Sequence, residues 1–443
     1  MNLLKIDLSE TLTTLLARGE PLTAAQLAAA TGKSQPSISL ALSKLGERVH
    51  RMGAARRTRY ALKRDILGLT AEHELSWNGP DATGKMPRQW GRITYLHGNY
   101  LHVRSAQREW LTQGKLPWFL TPLRPQGFLG RELARANPSF PANPEQWSLA
   151  EILHSTINHV RDPSGAFFFN GVETASWSAP EDAAGLGVHY DGLAQQIGSG
   201  SPTGSSAGGE QPKFVVNRRA AGRFIVKFTP PRGTPFGERW HALLSLEKLA
   251  LDTLQSHGIA SARSELIQTT HRSYLQSERF DRGQQHSMRH VVAIAAIHDE
   301  FVGGAWHNWV HASTALVQKG LITQQELQQI ARIFAFGHYI GNTDMHSGNL
   351  SFFVDDVITP KIRLAPVYDM LPMMWRPDIH QGVLSDSPVR QQLMPAGFAS
   401  EQAQARDWAI EFWQQAAQLN IGADLQAASA KSARRLKTNF LDM

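Results

Sequence analysis

"GNTDMHSGNL", Gly341–Leu350, puts an aspartate, a histidine and an asparagine on one glycine-punctuated turn between apolar segments. Asp344 and Asn349 stand five apart, a D-x-x-x-x-N spacing. In phosphoryl transfer such a carboxylate takes the proton of the attacking hydroxyl, and the amide oxygen binds Mg²⁺ without adding charge. Upstream, "TQQE" at 323–326 reads as a capping box that starts a helix. Leu327, Ile330, Ile333, Phe334, Gly337 and Ile340 continue that helix, and Gly341 ends it. Downstream, "LSFFV", the turn "DDVITP" and "IRLAPV" predict a hairpin that runs into Tyr368 and Asp369. Asp369, twenty residues past Asn349, suits a second oxygen ligand for Mg²⁺. Asp–Asn turns also form for local hydrogen-bonding reasons alone, so the rest of the chain has to decide. His346 has no H-E-x-x-H partner and no cysteine beside it, which favours a loop-shaping or nucleotide-contacting role over zinc.

Further toward the N-terminus, "GSGSPTGSSAGGEQPKF" (198–214) has the composition of a flexible linker. It leads, however, into two β-rich runs, Phe214–Asn217 and Arg223–Phe228, joined by a turn at Ala220–Gly222. A glycine loop entering a hairpin can lay its N–H groups along phosphates. Lys227 lies inside the second apolar run, so it needs either an anionic partner or exposure on an open sheet face. The helix predicted over "ERWHALLSLEKLALDTLQSHG" carries Glu247 one residue off its leucine stripe. From there Glu247 could reach Lys227, as the lysine–glutamate pair of kinases does.

The stretches "SSAGGEQPKF", "FIVKF", "SERFDR" (277–282), "IGNTDMHSGNLSFF" and "LAPVYDM" resemble the HipA family of serine/threonine kinases, the toxins of bacterial toxin–antitoxin pairs. The resemblance covers roughly residues 195–400. It implies a nucleotide loop formed by Gly208, Gly209, Glu210, Gln211, Pro212 and Lys213, with Lys227 on phosphate. It implies a hinge at Ser277, Glu278 and Arg279 beside adenine. Asp344 would be the base; His346, Ser347, Gly348 and Asn349 would meet nucleotide and metal, and Tyr368 would stand at the nucleotide beside Asp369. ATP and Mg²⁺ are the implied cofactors, with Asn349 and Asp369 on the metal. The family's nucleotide loop can carry an autophosphorylated serine, and Ser206 falls at that place. Aminoacyl-tRNA synthetases are among the family's substrates, and a HipB-like antitoxin is its usual partner. Here "GGEQPK" departs from the family's loop, notably at Pro212.

Residues 1–64 set the chain apart from that family, whose DNA binding ordinarily comes from the separate antitoxin. They predict three helices and a basic hairpin. In "LTAAQLAAATGKSQPSISLALSKLG", Ser34 is a helix N-cap and Pro36 sits in the first turn, where a missing N–H costs nothing. Ile38, Leu42 and Leu45 face a core, leaving Gln35, Ser37, Ser39 and Lys44 outward. "RVHRMGAARRTRYAL" then gives two short strands around Gly53–Ala54, with Arg48, Arg51, Arg56, Arg57 and Arg59 on them. This segment resembles a winged helix-turn-helix, whose second helix enters the major groove while arginines hold phosphates. "TGKS" at 31–34 is no Walker A loop, because the required earlier glycine is Leu27.

The chain of 443 residues carries 42% hydrophobic and 19% charged residues, a net charge of +7 and no cysteine. That composition supports packed cores and an anionic partner and rules out disulfides and thiolate chemistry. There is no signal peptide and no apolar run of about eighteen residues, so the expected location is the cytoplasm, on the nucleoid when bound to DNA. The predicted fold is α+β, a protein-kinase-like bilobal (HipA-like) fold preceded by a small winged helix-turn-helix domain. The expected divisions are 1–64 for DNA binding and 65–195 for a linker with a HipA N-terminal-like subdomain. The kinase N-lobe with its glycine loop would fill 196–280 and a helical C-lobe 281–443. Protein phosphorylation competes with two alternatives, a small-molecule phosphotransferase of antibiotic-kinase type and a transcription regulator that only senses nucleotide.

Overall fold

The computed structural model describes residues 7–79, 88–160, 162–169, 179–199, 211–219, 222–283, 287–377 and 397–438. The chain forms two compact units, one of residues 1–126 and 130–173, the other of 127–129 and 174–443.

The first unit opens with α1 (Leu8–Ala17), β1 (Leu22–Thr23), α2 (Ala24–Thr31) and α3 (Gln35–Lys44). The β2–β3 hairpin (Val49–Met52, Arg59–Leu62) follows, with β1 pairing on β3. Asp7, Thr23 and Ser34 cap the three helices through their side chains, each cap contributing about 1 kcal/mol. Leu12, Leu16, Leu27, Ile38, Ala41, Leu42 and Leu62 form the core between them. The turn between β2 and β3 is wider than the dipeptide Gly53–Ala54 suggests, because Ala55–Arg57 coil into a single 3₁₀ turn.

A five-stranded antiparallel sheet completes this unit in the order β7-β6-β5-β4-β8. Its strands are β4 (Glu72–Trp77), β5 (Arg88–Leu96), β6 (Tyr100–Ser105), β7 (Glu109–Gln113) and β8 (Phe167–Phe168); α4 (Gly127–Ala136) and α5 (Leu149–Asn158) stand between β7 and β8 in the chain. The hairpin expected around Gly98–Asn99 is β5–β6. Gly98 (φ 72°) meets Gly19 (φ 102°) so closely that a Cβ on either would lie 2.3 Å from the other's backbone.

No division falls at the expected border of 64/65. Met52 and Ala61 share a core cluster with Leu96, and His50 Nε2 lies 2.9 Å from His102 Nδ1 in the same interior. Burial and the neighbouring His102 lower His50 to about 4, so the two rings meet as neutral hydrogen-bond partners at pH 7.

The second unit begins with α6 (Ala183–Ser199), which moves the 195/196 border as well. Leu186, Tyr190, Leu193 and Ala194 of α6 bury against Phe214, Val216, Val226 and Tyr274, so α6 belongs with the sheet that follows it. That sheet runs β11-β12-β10-β9, from β9 (Lys213–Arg218), β10 (Gly222–Phe228), β11 (Ser264–Gln268) and β12 (Ser273–Glu278). Between β10 and β11 comes α7 (Pro235–Ser256), capped by Thr234. The helical half comprises α8 (Ile294–Phe301), α9 (Trp309–Gln318), α10 (Gln324–Tyr339), α11 (Ala399–Ala416) and α12 (Ala423–Thr438). With it goes a small sheet of β13 (Val291–Ala293), β14 (Ser351–Asp356) and β15 (Lys361–Leu364). Among the described residues, no helix is long and apolar enough to cross a membrane.

Candidate active site

The two-residue period of a strand sends Phe224, Val226 and Phe228 into the α6 side of the sheet, and Lys227 to the other face. There Lys227 is 9% exposed. Its Nζ donates to Glu247 Oε1 at 2.6 Å and Oε2 at 2.7 Å, and also to Asp369 Oδ1. Of the two options open to Lys227, the structure takes the anionic partner.

Glu247 sits on α7, 2% exposed. The helix is fastened to the helical half at both ends. Arg239 Nη2 lies 3.3 Å from Asp424 Oδ2; His257 Nε2 lies 2.8 Å from Glu411 Oε2 and stacks on Trp408 at 4.9 Å between ring centroids.

Burial works against charge on all three members, and their mutual attraction opposes it. For Asp369 the Lys227 and Lys213 cations prevail over burial and hold the carboxyl at about 2. For Lys227 the two carboxylates prevail and raise it above its ordinary range. Burial raises Glu247, against the pull of Lys227. Lys213 is the cross-strand neighbour of Lys227, so a second cation stands over the same carboxylates.

The loop Gly341–Leu350 follows α10, whose Thr323/Glu326 capping box forms as its sequence predicts. Glu326 also accepts the Leu364 N–H at 2.9 Å, tying the helix start to β15. Gly341 ends the helix at φ 75°. Asn349 Nδ2 donates to the Asp344 carbonyl at 2.8 Å, which leaves its amide oxygen for another partner. His346 Nδ1 accepts the Gly348 N–H at 2.9 Å, so this ring shapes the loop. Trp309 Nε1 donates to the His346 carbonyl at 2.8 Å. The carbonyls of Ser347 and Leu350 accept the N–H groups of Ala295 and Ile294, serving the otherwise uncapped start of α8. The Asp344 carboxylate remains exposed.

Sequence reasoning missed Asn342, which is 3% exposed. Its Oδ1 accepts the Asp344 N–H at 3.0 Å, and its Nδ2 donates to the Asp369 carbonyl at 3.4 Å. One side chain therefore joins the Asp344 loop to Asp369, which is held at φ 53°. Non-glycine residues reach that region at a cost and keep it only where surroundings over-determine it. The signal was present as an Asx-type pattern, an asparagine two residues before the aspartate.

Other expected positions divide. Gln211 donates to the Phe228 carbonyl, and Pro212 accepts the Phe228 N–H at 3.0 Å, stitching the end of the glycine-rich segment to β10. Gly208, Gly209, Glu210 and Ser206 lie outside the described residues. Ser277 and Glu278 close β12, but the buried Arg279 guanidinium is drawn onto Asp281 at 2.8 and 3.0 Å. Its side chain is thereby committed within the protein and leaves only backbone for a ligand at the hinge. The Tyr368 hydroxyl donates to the Gly348 carbonyl at 2.7 Å and lies 2.7 Å from Ser351 Oγ, so it braces the loop.

A four-stranded sheet with a buried lysine–glutamate pair, joined to a helical half that presents Asp344 and Asp369, defines a protein-kinase-like fold. Residues 205–439 match the HipA-like C-terminal domain, and residues 80–177 match the YjjJ-like toxin middle domain. The chain is 34% identical over 416 residues to toxin YjjJ of Escherichia coli (strain K12), covering 91% of each protein. It therefore belongs to the HipA family of toxins. A putative kinase of Haemophilus influenzae is 26% identical over 205 residues, 42% of this chain and 58% of that one. Among solved structures, the fold is similar to a chain in the Shewanella oneidensis MR-1 complex of HipA, HipB and operator DNA. The TM-score is 0.51 at 16% identity, over 82% of this chain and 95% of that one.

Proposed function

We propose that this chain is an ATP- and Mg²⁺-dependent serine/threonine protein kinase that also binds duplex DNA through its N-terminal elements. The observation that carries the kinase activity is Lys227 held between Glu247 and Asp369, with Asn342 joining Asp369 to the Asp344 loop. The donors fit the metal. Asp369 is an ionised carboxylate and Asn349 offers an amide oxygen, and Mg²⁺ takes only one or two protein oxygens, keeping waters and substrate phosphates for the rest. Mg²⁺, when bound, offsets charge on the transferring phosphates.

The chain's own part is positional. Lys227 and Lys213 orient phosphate oxygens, and Asp344 aligns the attacking hydroxyl and takes its proton as the new O–P bond forms and ADP leaves. The exposed setting of Asp344 suits a protein hydroxyl. Incubation with γ-labelled ATP should therefore label proteins, aminoacyl-tRNA synthetases being the first to offer, and spare small alcohols. Labelling of alcohols alone would shift the assignment to a small-molecule phosphotransferase.

Asn342→Ala should slow transfer about 10²-fold, the scale of a misplacement near 1 Å, while ATP binding persists. Unchanged turnover in this variant would remove Asn342 from the positioning role.

For DNA, the support is geometric. Gln35, Ser37, Ser39, Lys44, Arg48, Arg51, Arg56, Arg57 and Arg59 are all exposed, the first four on α3 and the arginines on or beside the β2–β3 hairpin. Winged helix-turn-helix proteins use such a helix in the major groove. Neutralising Arg56, Arg57 and Arg59 together should lower the slope of log affinity against log salt by about 2–3, near 0.9 per phosphate contact. An unaltered slope would count against a basic wing on phosphate. A HipB-like antitoxin is the further partner this family membership suggests, and the nucleoid the corresponding location.

A further inference from the structure

Resting on the DNA-binding proposal, we infer that α3 reads A·T base pairs in the major groove, with Leu40 as the residue that senses the thymine methyl. Leu40 is 61% exposed, one of only four large hydrophobic side chains that stand exposed among the described residues. At about 100° per residue, Leu40 points away from Ile38, Ala41 and Leu42, which are buried in the core of the first three helices. It thus occupies the middle of the outward face, with Ser37 and Lys44 toward its flanks, while exposed Gln35 sits about 140° round the first turn.

The polar side chains around Leu40 are partly committed. Ser37 Oγ lies 2.9 Å from Ser34 Oγ within the helix cap, and Ser43 Oγ donates to the Leu40 carbonyl at 2.8 Å. The chemistry left on the face is Leu40 in the middle, with Ser39 at its edge, and Lys44 at the end. Guanine is read by arginine or lysine and cytosine by a carboxylate, adenine by the amide of asparagine or glutamine, and thymine by apolar contact with its methyl. This face carries no arginine and no carboxylate. Leu40 matches the thymine methyl, and the base paired with that thymine is adenine. Lys44, in the last turn, lies away from the N-terminal half that normally meets the bases and joins the arginines on phosphate.

The occupant is fixed by charge. Arg48, Arg51, Arg56, Arg57 and Arg59 are exposed on the segment that follows α3, a distribution that suits the phosphates flanking a groove. An apolar protein partner would leave those arginines without counter-charge.

The test uses the full chain and a random pool of short duplexes, from which binders are enriched and the tightest is resynthesised with deoxyuridine in place of thymidine. That replacement removes only the 5-methyl group. Enriched duplexes should carry an A·T-rich core, and wild-type affinity should fall about fivefold or more on methyl removal, the lower end of a base-specific contact. Leu40→Ala should bind the thymidine and deoxyuridine duplexes alike, both at the weakened level. Arg56→Gln, the control, should lose affinity for both yet keep the difference between them. Equal wild-type affinity for the two duplexes, or a Leu40→Ala variant as sensitive to the methyl as wild type, overturns the inference and leaves DNA binding standing. If no duplex in the pool shows salt-sensitive binding, the DNA-binding proposal fails and takes this one with it.

Discussion

Replacing Lys227 with methionine is expected to abolish phosphoryl transfer and to destabilise the fold by about 3–5 kcal/mol, the cost of removing one partner from a buried ion pair. The substitution leaves Glu247, 2% exposed, next to the Asp369 carboxylate without its hydrogen-bonded cation and with Lys213 alone to offset both charges. Glu247 can escape only by taking a proton, so the variant should be relatively more stable in acid than at neutral pH. Lys227→Met/Glu247→Gln should regain most of the lost stability and none of the activity, which separates the structural role of the lysine from its role on phosphate.

The wild-type pH profile follows from the same ion pairs. Asp369 is held at about 2 against an ordinary 3.8, so its contribution is complete above the ordinary value and disappears as pH falls through about 2. Lys227 is raised above its ordinary 10.5, so its contribution is complete below that value and is lost only at stronger alkali. With respect to Asp369 and Lys227, thermal melts should accordingly be flat between roughly pH 4 and 10, whereas Glu247, which burial raises above the ordinary 4.5, brings a loss of stability as pH climbs past that value. A single Lys227→Met variant melting within a degree of wild type at pH 7 would contradict the buried-pair description.

Asp344→Ala is expected to lower the transfer rate by about 10²–10⁴, the range for losing a positioned general base. The exposed Asp344 side chain stands apart from the ion pairs of Lys227, so the melting temperature and ATP affinity should stay close to wild type. Rate and stability therefore part company in this variant, whereas in Lys227→Met they fall together.

These two sites also show how far the sequence alone could go. The Thr323/Glu326 cap, the Gly341 stop and the Asp344–Asn349 spacing are local, set within one turn or one helix, and the chain displays them directly. Glu247 was within reach because helical period places it one step off a leucine stripe. The joining of these parts was not legible. Lys227 meets Asp369 across 142 residues and Asn342 meets it across 27, and neither span has a periodic signature. Arg279 shows the converse problem. Nothing in "SERFDR" shows that Asp281, two residues on, holds the Arg279 guanidinium in the interior, so only its backbone is left for the hinge expected there. The 195/196 border failed for a related reason, since α6 carries glycines at 185, 187 and 192, which weaken the apolar stripe that ties it to the β9–β10 sheet. Leu40 was passed over because an outward apolar residue on a polar helix face contributes nothing to the core pattern from which the helix itself is recognised.

The most direct measurement is transfer of label from γ-labelled ATP with Mg²⁺ to proteins of a cell extract, comparing wild type with Asp344→Asn at matched ATP saturation, with ATP binding followed separately by thermal shift. The expected result is labelled serine or threonine with wild type, lost on chelation of Mg²⁺. With Asp344→Asn labelling should fall at least about 10²-fold while the ATP-induced shift is retained. Equal labelling by the two proteins, or a wild type that binds ATP and labels nothing, would contradict a phosphoryl-transfer site built on Asp344, Asn349 and Asp369.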